Sequence, residues 1–282
     1  MPPILSYGSN LNRLDLRGFA ERNGLPAPRL HALGRVWLTD HRLSFGYHSR
    51  SRGGGALDVV PATGFVVPGV LFDVDAPTLA LLDRKEGHPT YYQRHEVLVH
   101  RDGHVIPALT WTVVPERRVA HVEPTIRYVE LVEEAWTHWG LPLHALQQAV
   151  ADDVPPVDKA FVYGTLCSGH EHAACLPGHR ERWAVDGATC FDMGRHAAMR
   201  LGPGGHVSGE LVHDIPELDE VLPDLDARMA EFGLHRTLVD LGVTWAWSWV
   251  GDPWASDDRV VDCWPSLRPP SRVAHFHWRS EW

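Results

Sequence analysis

An α+β architecture, laid out as two tandem domains, is what this sequence predicts, and three observations carry the prediction. A short apolar phrase ending in Tyr-Gly-(Ser/Thr) occurs twice, as Ile4-Leu5-Ser6-Tyr7-Gly8-Ser9-Asn10-Leu11 and as Ala160-Phe161-Val162-Tyr163-Gly164-Thr165-Leu166. Segments of strand and helix type follow each phrase in the same order. Between the two regions lies an acidic, proline-bearing connector, Ala151-Asp152-Asp153-Val154-Pro155-Pro156-Val157, which cannot continue a helix. Two regions of domain size sharing one order of parts read as an internal duplication, with domains expected at 1–150 and 158–282.

The elements can be taken in order. Each opening phrase is an apolar strand running into a turn, where glycine permits close approach of main chain to a ligand and successive N–H groups can form an anion-binding nest. An alternating segment follows, Phe65 to Val74 in the first half and His206 to His213 in the second. Apolar helical stretches come next, Pro77 to Asp83 and Ile215 to Met229. A carboxylate near a glycine ends each of them, at Glu86-Gly87 and at Glu231-Phe232-Gly233. Tyr92-Gln93-Arg94 and Leu234-His235-Arg236 then lead into strands. Tryptophan-bearing strands close the units: Val105, Trp111 and Val113 share one face of the first, and Trp245, Trp247 and Trp249 one face of the second. Before the connector, Tyr128, Leu131, Val132, Ala135, Trp136 and Trp139 recur at helical spacing, with Gly140 placed to end the helix. Many short strands with one or two helices per unit imply a small mixed or closed sheet.

Composition narrows the functional classes. A chain of 282 residues, 44% hydrophobic and 22% charged, is long enough for two domains with their own cores. The formal net charge of −10, with basic residues scattered, argues against nucleic-acid binding, which needs clustered Lys and Arg on phosphates. No apolar run approaches the roughly 20 residues that span a bilayer. Met1-Pro2-Pro3 carries neither a basic segment nor an apolar leader, so a cytoplasmic enzyme is expected. Lys85 and Lys159 are the only lysines, leaving few candidates for Schiff-base chemistry, and Lys85 is expected on a solvated helix end.

No metal or other cofactor is expected. The four cysteines, Cys167, Cys175, Cys190 and Cys263, contain no Cys-x-x-Cys pair and read as reduced thiols. Cys167 follows the second turn without an oriented His-Asn/Asp set, so it is expected to be buried or inert. His170-Glu171-His172 and His275-Phe276-His277 each offer two imidazoles but no third ligand at a convincing spacing.

The paired motifs resemble the γ-glutamylcyclotransferase superfamily. The first half matches through Tyr7-Gly8-Ser9-Asn10-Leu11, Val67-Pro68-Gly69, Leu82-Asp83-Arg84-Lys85-Glu86-Gly87 and the helix entry Pro124-Thr125-Ile126-Arg127-Tyr128. The second half is similar to shorter relatives acting on γ-glutamylamines, through Tyr163-Gly164-Thr165-Leu166 and Val207-Ser208-Gly209-Glu210-Leu211. The resemblance spans nearly the whole chain. It implies two small mixed β-barrels with flanking helices, and a small-molecule γ-glutamyl substrate as the partner. Substrate contacts are implied at Tyr7, Gly8, Ser9, Asn10, Leu11 and Tyr128.

The implied reaction releases 5-oxoproline: the substrate's own α-amine attacks its γ-carbonyl and expels the attached amine. A tethered nucleophile needs orientation more than covalent help, and such orientation is worth about 7–11 kcal/mol in favourable cases. One carboxylate can move the protons if it titrates between the ordinary glutamate range and neutrality. Glu86, at a helix end before Gly87, is the candidate, with the Tyr7–Leu11 turn supplying N–H groups to anionic oxygens. Asn10 is expected to cap the next helix, and Arg94 to support Glu86 or the sheet edge. The second unit departs from the motif: Met229 stands three residues after Asp226, where Glu is expected, and Glu231 lies two further on. Either a helix insertion keeps Glu231 as a base, with Tyr163, Gly164, Thr165 and Leu166 around a second site, or catalysis has been lost there. The alternatives to a C–N lyase or acyl-transfer class enzyme on γ-glutamyl amides or dipeptides are two. One is a γ-glutamylamine cyclotransferase deprotecting a biosynthetic intermediate, and the other is a noncatalytic scaffold of this fold.

Overall fold

The computed structural model describes residues 2–194, 196–242, 244–252 and 259–261. Cys263 and His275-Phe276-His277 lie outside them. The chain divides into two compact units: Met1–Arg101 with Val105–Pro156, and Val157–Trp282 with Asp102–His104.

In the first unit β1 (Ile4–Ser6) passes through a single 3-10 turn into α1 (Arg13–Arg22). The long strand β2 (Leu30–Ser44) follows, then a short hairpin of β3 (His48–Ser49) and β4 (Gly54–Gly55), and a second long strand, β5 (Asp58–Val74). Helix α2 (Ala76–Glu86), β6 (Tyr92–Arg101), β7 (His104–Val113), α3 (Ile126–Trp139) and α4 (Leu143–Val150) complete it. Five strands close into a barrel in the order β1-β5-β2-β6-β7. Closure comes from β1 lying antiparallel to β5 and parallel to β7, with Ile4 opposite Leu109. On the other side, β2 pairs with β6 through Trp37–His100 and Leu38–Val99.

The Val-x-Gly strand has a steric purpose. A Cβ on Gly69 would sit 2.6 Å from Leu5 Cδ1 and 2.8 Å from Ser6 O, so only glycine lets β1 lie flat on β5. Gly209 repeats this in the second unit, where a Cβ would fall 2.1 Å from Val162 O.

Unit two repeats the order with β8 (Ala160–Val162), β9 (His179–Asp192), β10 (Ala197–His213), α5 (Leu218–Ala230), β11 (His235–Asp240), β12 (Trp245–Val250) and β13 (Arg259–Val261). Its six strands run β11-β12-β8-β10-β9-β13. The parallel contact that joins β7 to β1 recurs as β12 against β8, with Trp247 opposite Ala160. The β2–β6 pairing has no counterpart among the described residues, where β13 lies beside β9 instead. The protein is thus α+β throughout, with a closed barrel in one unit and the matching strand order as a sheet in the other. Trp247 and Trp249 are fully buried in the second unit's own core.

Candidate active site

Helix α2 delivers Glu86 to the first site. Asp75 caps its start by accepting from Thr78 N–H at 2.9 Å, Pro77 occupies the first turn, and Leu81 and Leu82 are buried on one face. Gly87, at φ 64°, ends the helix, leaving Glu86 as its last residue.

At the other side of the site stands the turn after β1. Its hydrogen bonds, Leu11 N–H to Gly8 O (3.0 Å) and Asn12 N–H to Ser9 O (3.1 Å), begin only at Leu11. Among the described residues no main-chain carbonyl takes the N–H groups of Gly8, Ser9 and Asn10. Asn10 Nδ2 donates to Glu86 Oε1 at 2.7 Å, which joins turn and helix. The helix cap expected of Asn10 belongs to Asn12, whose side chain accepts from Asp15 N–H at 3.1 Å. One 3-10 turn between strand and helix displaces the cap by two residues and frees Asn10 for the site.

Lys85 is the largest correction. It is not on a solvated face: its side chain is only 7% exposed, and its Nζ lies 3.1 Å from Ser9 Oγ, 2.8 Å from Asn10 Oδ1 and 3.3 Å from Asp15 Oδ2. Three acceptors match the three N–H bonds of an ammonium group. Because Lys85 donates to Asn10 Oδ1, the amide of Asn10 must present Nδ2 to Glu86. Burial lowers the Lys85 pKa, against the opposing pull of the Glu86 and Asp15 charges. Asp15 is held from a second direction by Arg52, at 2.9 and 3.3 Å. Burial would raise the Asp15 carboxyl, but the Arg52 hydrogen bond and the Lys85 charge outweigh it and hold the pKa below 3.8.

These groups surround a cavity of about 250 Å³. Tyr7, Gly8, Ser9 and Asn10 line it with Glu86 and Tyr128, and Leu57, Tyr92 and Trp111 add apolar surface. Tyr7 OH donates to Trp111 O at 2.7 Å, and Tyr128 OH accepts from Leu57 N–H at 3.4 Å under the Arg52 guanidinium. Burial pushes the Tyr128 hydroxyl up to about 12 and Tyr7 well above 10.0, so both are neutral donors near neutral pH. Leu11 is the exception in the expected set: its side chain is fully buried in the core and does not line the cavity. Arg94 pairs with Asp83 at 2.6 Å rather than with Glu86, and Trp111 Nε1 donates to the same carboxylate at 2.9 Å.

The second unit keeps this scaffold and changes what it holds. Tyr163 OH donates to Trp249 O at 2.6 Å, Trp249 Nε1 to Asp226 at 2.8 Å, and Arg236 Nε to both Asp226 oxygens at 3.0 Å. Counting from these shared anchors, Leu166 takes the place of Asn10, Arg228 that of Lys85 and Met229 that of Glu86. Met229 is buried and lines, with Tyr163, Thr165, Leu166 and Phe232, a space of about 10 Å³. That holds at most about one water molecule. Gly164 does not line this space, and Glu231 is exposed after the end of α5, also outside it. Cys167 is fully buried, and burial pushes its thiol up to about 12, which leaves it unreactive. Among the described residues no group of three or more His, Cys, Asp or Glu could hold a metal ion, and no helix is long and apolar enough to cross a membrane.

A two-part sequence match agrees with the two-part geometry. The family described as "Gamma-glutamyl cyclotransferase, AIG2-like" matches residues 5–135 and 160–263. The chain belongs to this family. Among solved structures it is similar to a protein titled "Gamma-glutamyl cyclotransferase", at 24% identity over 55% of this chain and 89% of that one, with a TM-score of 0.44. It is also similar to YkqA from Bacillus subtilis, at 21% identity over 55% of each chain and a TM-score of 0.44. A γ-glutamyl cyclotransferase from yeast, titled as specific to glutathione, aligns at 13% identity over 54% of this chain and 98% of that one, with a TM-score of 0.36. A comparison with curated proteins found no match.

Proposed function

We propose that this protein is a cyclotransferase that releases 5-oxoproline from a γ-glutamyl amide or dipeptide, and that the first unit does the chemistry. The observation that carries the reading is the 2.7 Å hydrogen bond joining Asn10 to Glu86 in the wall of a cavity the size of a small ligand. Glu86 first takes a proton from the substrate α-ammonium. The freed amine nitrogen attacks the γ-carbonyl carbon, forming the lactam C–N bond. A second proton leaves the attacking nitrogen as the amide C–N bond to the attached amine breaks. Glu86 passes both protons on, one at a time, and the leaving group departs as an ammonium ion. The oxyanion and the α-carboxylate are assigned to the N–H groups of Gly8, Ser9 and Asn10, with donor help from the neutral Tyr128 hydroxyl.

The cavity, at about 250 Å³, lies below the roughly 300–1,000 Å³ of pockets for drug-sized ligands, which favours a compact substrate. Placement in the cytoplasm goes with the reduced thiols. The second unit, with Met229 where the carboxylate would stand, is assigned a supporting role. Incubation with a panel of γ-glutamyl amides, amines and dipeptides, with detection of 5-oxoproline, tests the reading. Release from at least one member is expected, while no release from any would leave a noncatalytic protein of this fold.

A further inference from the structure

The Lys85 ammonium has only protons to give, and that fixes how the groups around it are arranged. Toward Asn10 it sets the amide, as described above. Its other neutral acceptor is Ser9 Oγ, at 3.1 Å, and Ser9 in turn hydrogen-bonds the Tyr128 hydroxyl. An oxygen that accepts from a cation becomes a stronger donor through its own O–H. The Asp15 carboxylate, 3.3 Å from the ammonium, favours the charged form of the lysine and so sustains this polarisation.

Tyr128 Oη stands where such a chain can be used. It accepts from Leu57 N–H at 3.4 Å, and it lies 3.9 Å from the place a Cβ on Gly8 would take. This is the head of the turn whose first N–H groups meet no main-chain carbonyl among the described residues. With Leu57 N–H and Ser9 O–H both aimed at it, the oxygen's acceptor capacity is taken, and its own proton is left for the cavity it lines. A phenol is more acidic than an aliphatic hydroxyl, and an oxyanion in the cavity draws the stronger donor to itself. The Arg52 guanidinium, 5.2 Å from the ring centroid, adds to that donor strength.

The second unit supplies a comparison. Thr165 keeps a hydroxyl at the position of Ser9, and Arg228 keeps a cation at that of Lys85, yet none of the six tyrosines lies after Tyr163. That unit lacks the end of the chain together with the carboxylate.

We infer that Ser9 is a positioning residue: polarised by Lys85, its hydroxyl donates to Tyr128 Oη and turns the phenol proton onto the γ-carbonyl oxygen as that oxygen gains negative charge. This rests on the cyclotransferase reading above. It adds to the main-chain N–H groups one side-chain donor whose direction is set by a buried cation.

The test is a cycle of single and double variants at Ser9 and Tyr128, with the γ-glutamyl compound turned over fastest in the panel as substrate. Tyr128→Phe should lower kcat by about 30-fold and Ser9→Ala by about fivefold, the sizes expected of a charge-assisted hydrogen bond lost and misaimed. KM should stay within about twofold in each, because the contact strengthens only as charge develops. Ser9→Thr, matching Thr165 of the second unit, should restore most of the loss. In a Tyr128→Phe background, Ser9→Ala should cost less than about twofold more, whereas independent roles would multiply to about 150-fold. Lys85→Gln, which keeps N–H donors without the charge, should likewise cost less in Tyr128→Phe than in the wild type. Thermal melts check the folding of every variant. Losses that multiply overturn the relay, as does a loss that falls on KM, which would make Ser9 a prop for the turn. Equal factors for Lys85→Gln in the two backgrounds overturn the part given to the ammonium. Full activity of Tyr128→Phe overturns the inference and leaves Glu86 and the cyclotransferase reading in place. Absence of 5-oxoproline from every γ-glutamyl compound overturns inference and reading together.

Discussion

The two units share a scaffold and differ in what it surrounds. Each has a tyrosine hydroxyl on a tryptophan carbonyl, the same tryptophan's indole N–H on an aspartate, and an arginine on that aspartate: Tyr7-Trp111-Asp83-Arg94 and Tyr163-Trp249-Asp226-Arg236. Those contacts hold the helix against the barrel or sheet and impose no chemistry. The side chains that face the cavity differ, and here the units part: Asn10 and Glu86 in one, Leu166 and Met229 in the other. Replacing a hydrogen-bonded carboxylate and amide with two apolar side chains removes the need for a solvated cavity. The space accordingly falls from about 250 to about 10 Å³. The same structural hydrogen bonds can therefore stand beside a cavity or a filled space, because Asn10 and Glu86 are not members of the shared set.

The contrast can be tested, beginning where the effect should be largest. Glu86→Gln keeps a hydrogen-bonding side chain opposite Asn10 but cannot carry a proton, so turnover should fall by about 100-fold or more with the melt little changed. A folded variant with near-normal turnover would remove Glu86 from the mechanism. Lys85→Met should cost about tenfold in kcat and about 1–3 kcal/mol of stability, since it strips donors from Ser9, Asn10 and Asp15. Here the split between parameters is informative. A positioning role through Asn10 moves kcat more than KM and alters the pH profile, while simple loosening of the fold would lower only the melt.

A smaller effect is expected at Asp15. Its folded pKa lies below its ordinary 3.8, so its stabilising contribution is complete above that value and is lost as the pH falls below it. Asp15→Asn should therefore melt earlier than the wild type near neutral pH, and its melting temperature should decline less steeply on acidification below 3.8. Parallel curves for the two proteins would contradict this. The smallest effect of all is expected from chelation. Prolonged treatment with a chelator should leave 5-oxoproline release unchanged, and loss of activity restored by a divalent ion would refute the metal-free route.

Much of this was legible in the sequence, and the failures share a cause. The duplication, the helix ending at Glu86 and the Tyr7 turn follow from local pattern, which repeated motifs make visible. Lys85 was not legible, because its burial depends on Asp15 from α1 and on Ser9 and Asn10 from the turn, none of them near it in sequence. A lysine after an arginine near a helix end looks like a solvated pair, and Arg84, the other member, is indeed exposed. Asn10 and Asn12 both suit a helix cap, and only the intervening 3-10 turn decides between them. Barrel closure was likewise beyond local pattern. It rests on which strand lies beside β2 and β9, and edge pairing between distant strands leaves little trace in either segment.

The division of labour between the units is tested most directly by assaying Glu231→Gln beside Glu86→Gln at saturating γ-glutamyl substrate, with folding followed by thermal melts. Glu231 is exposed and lies outside the second unit's small space. Its variant should keep turnover within about twofold of the wild type, as surface changes away from a site usually do, while Glu86→Gln loses about 100-fold or more. A stable Glu231→Gln protein that loses turnover while Glu86→Gln keeps it would place the chemistry in the second unit, and comparable losses in both would mean two working sites.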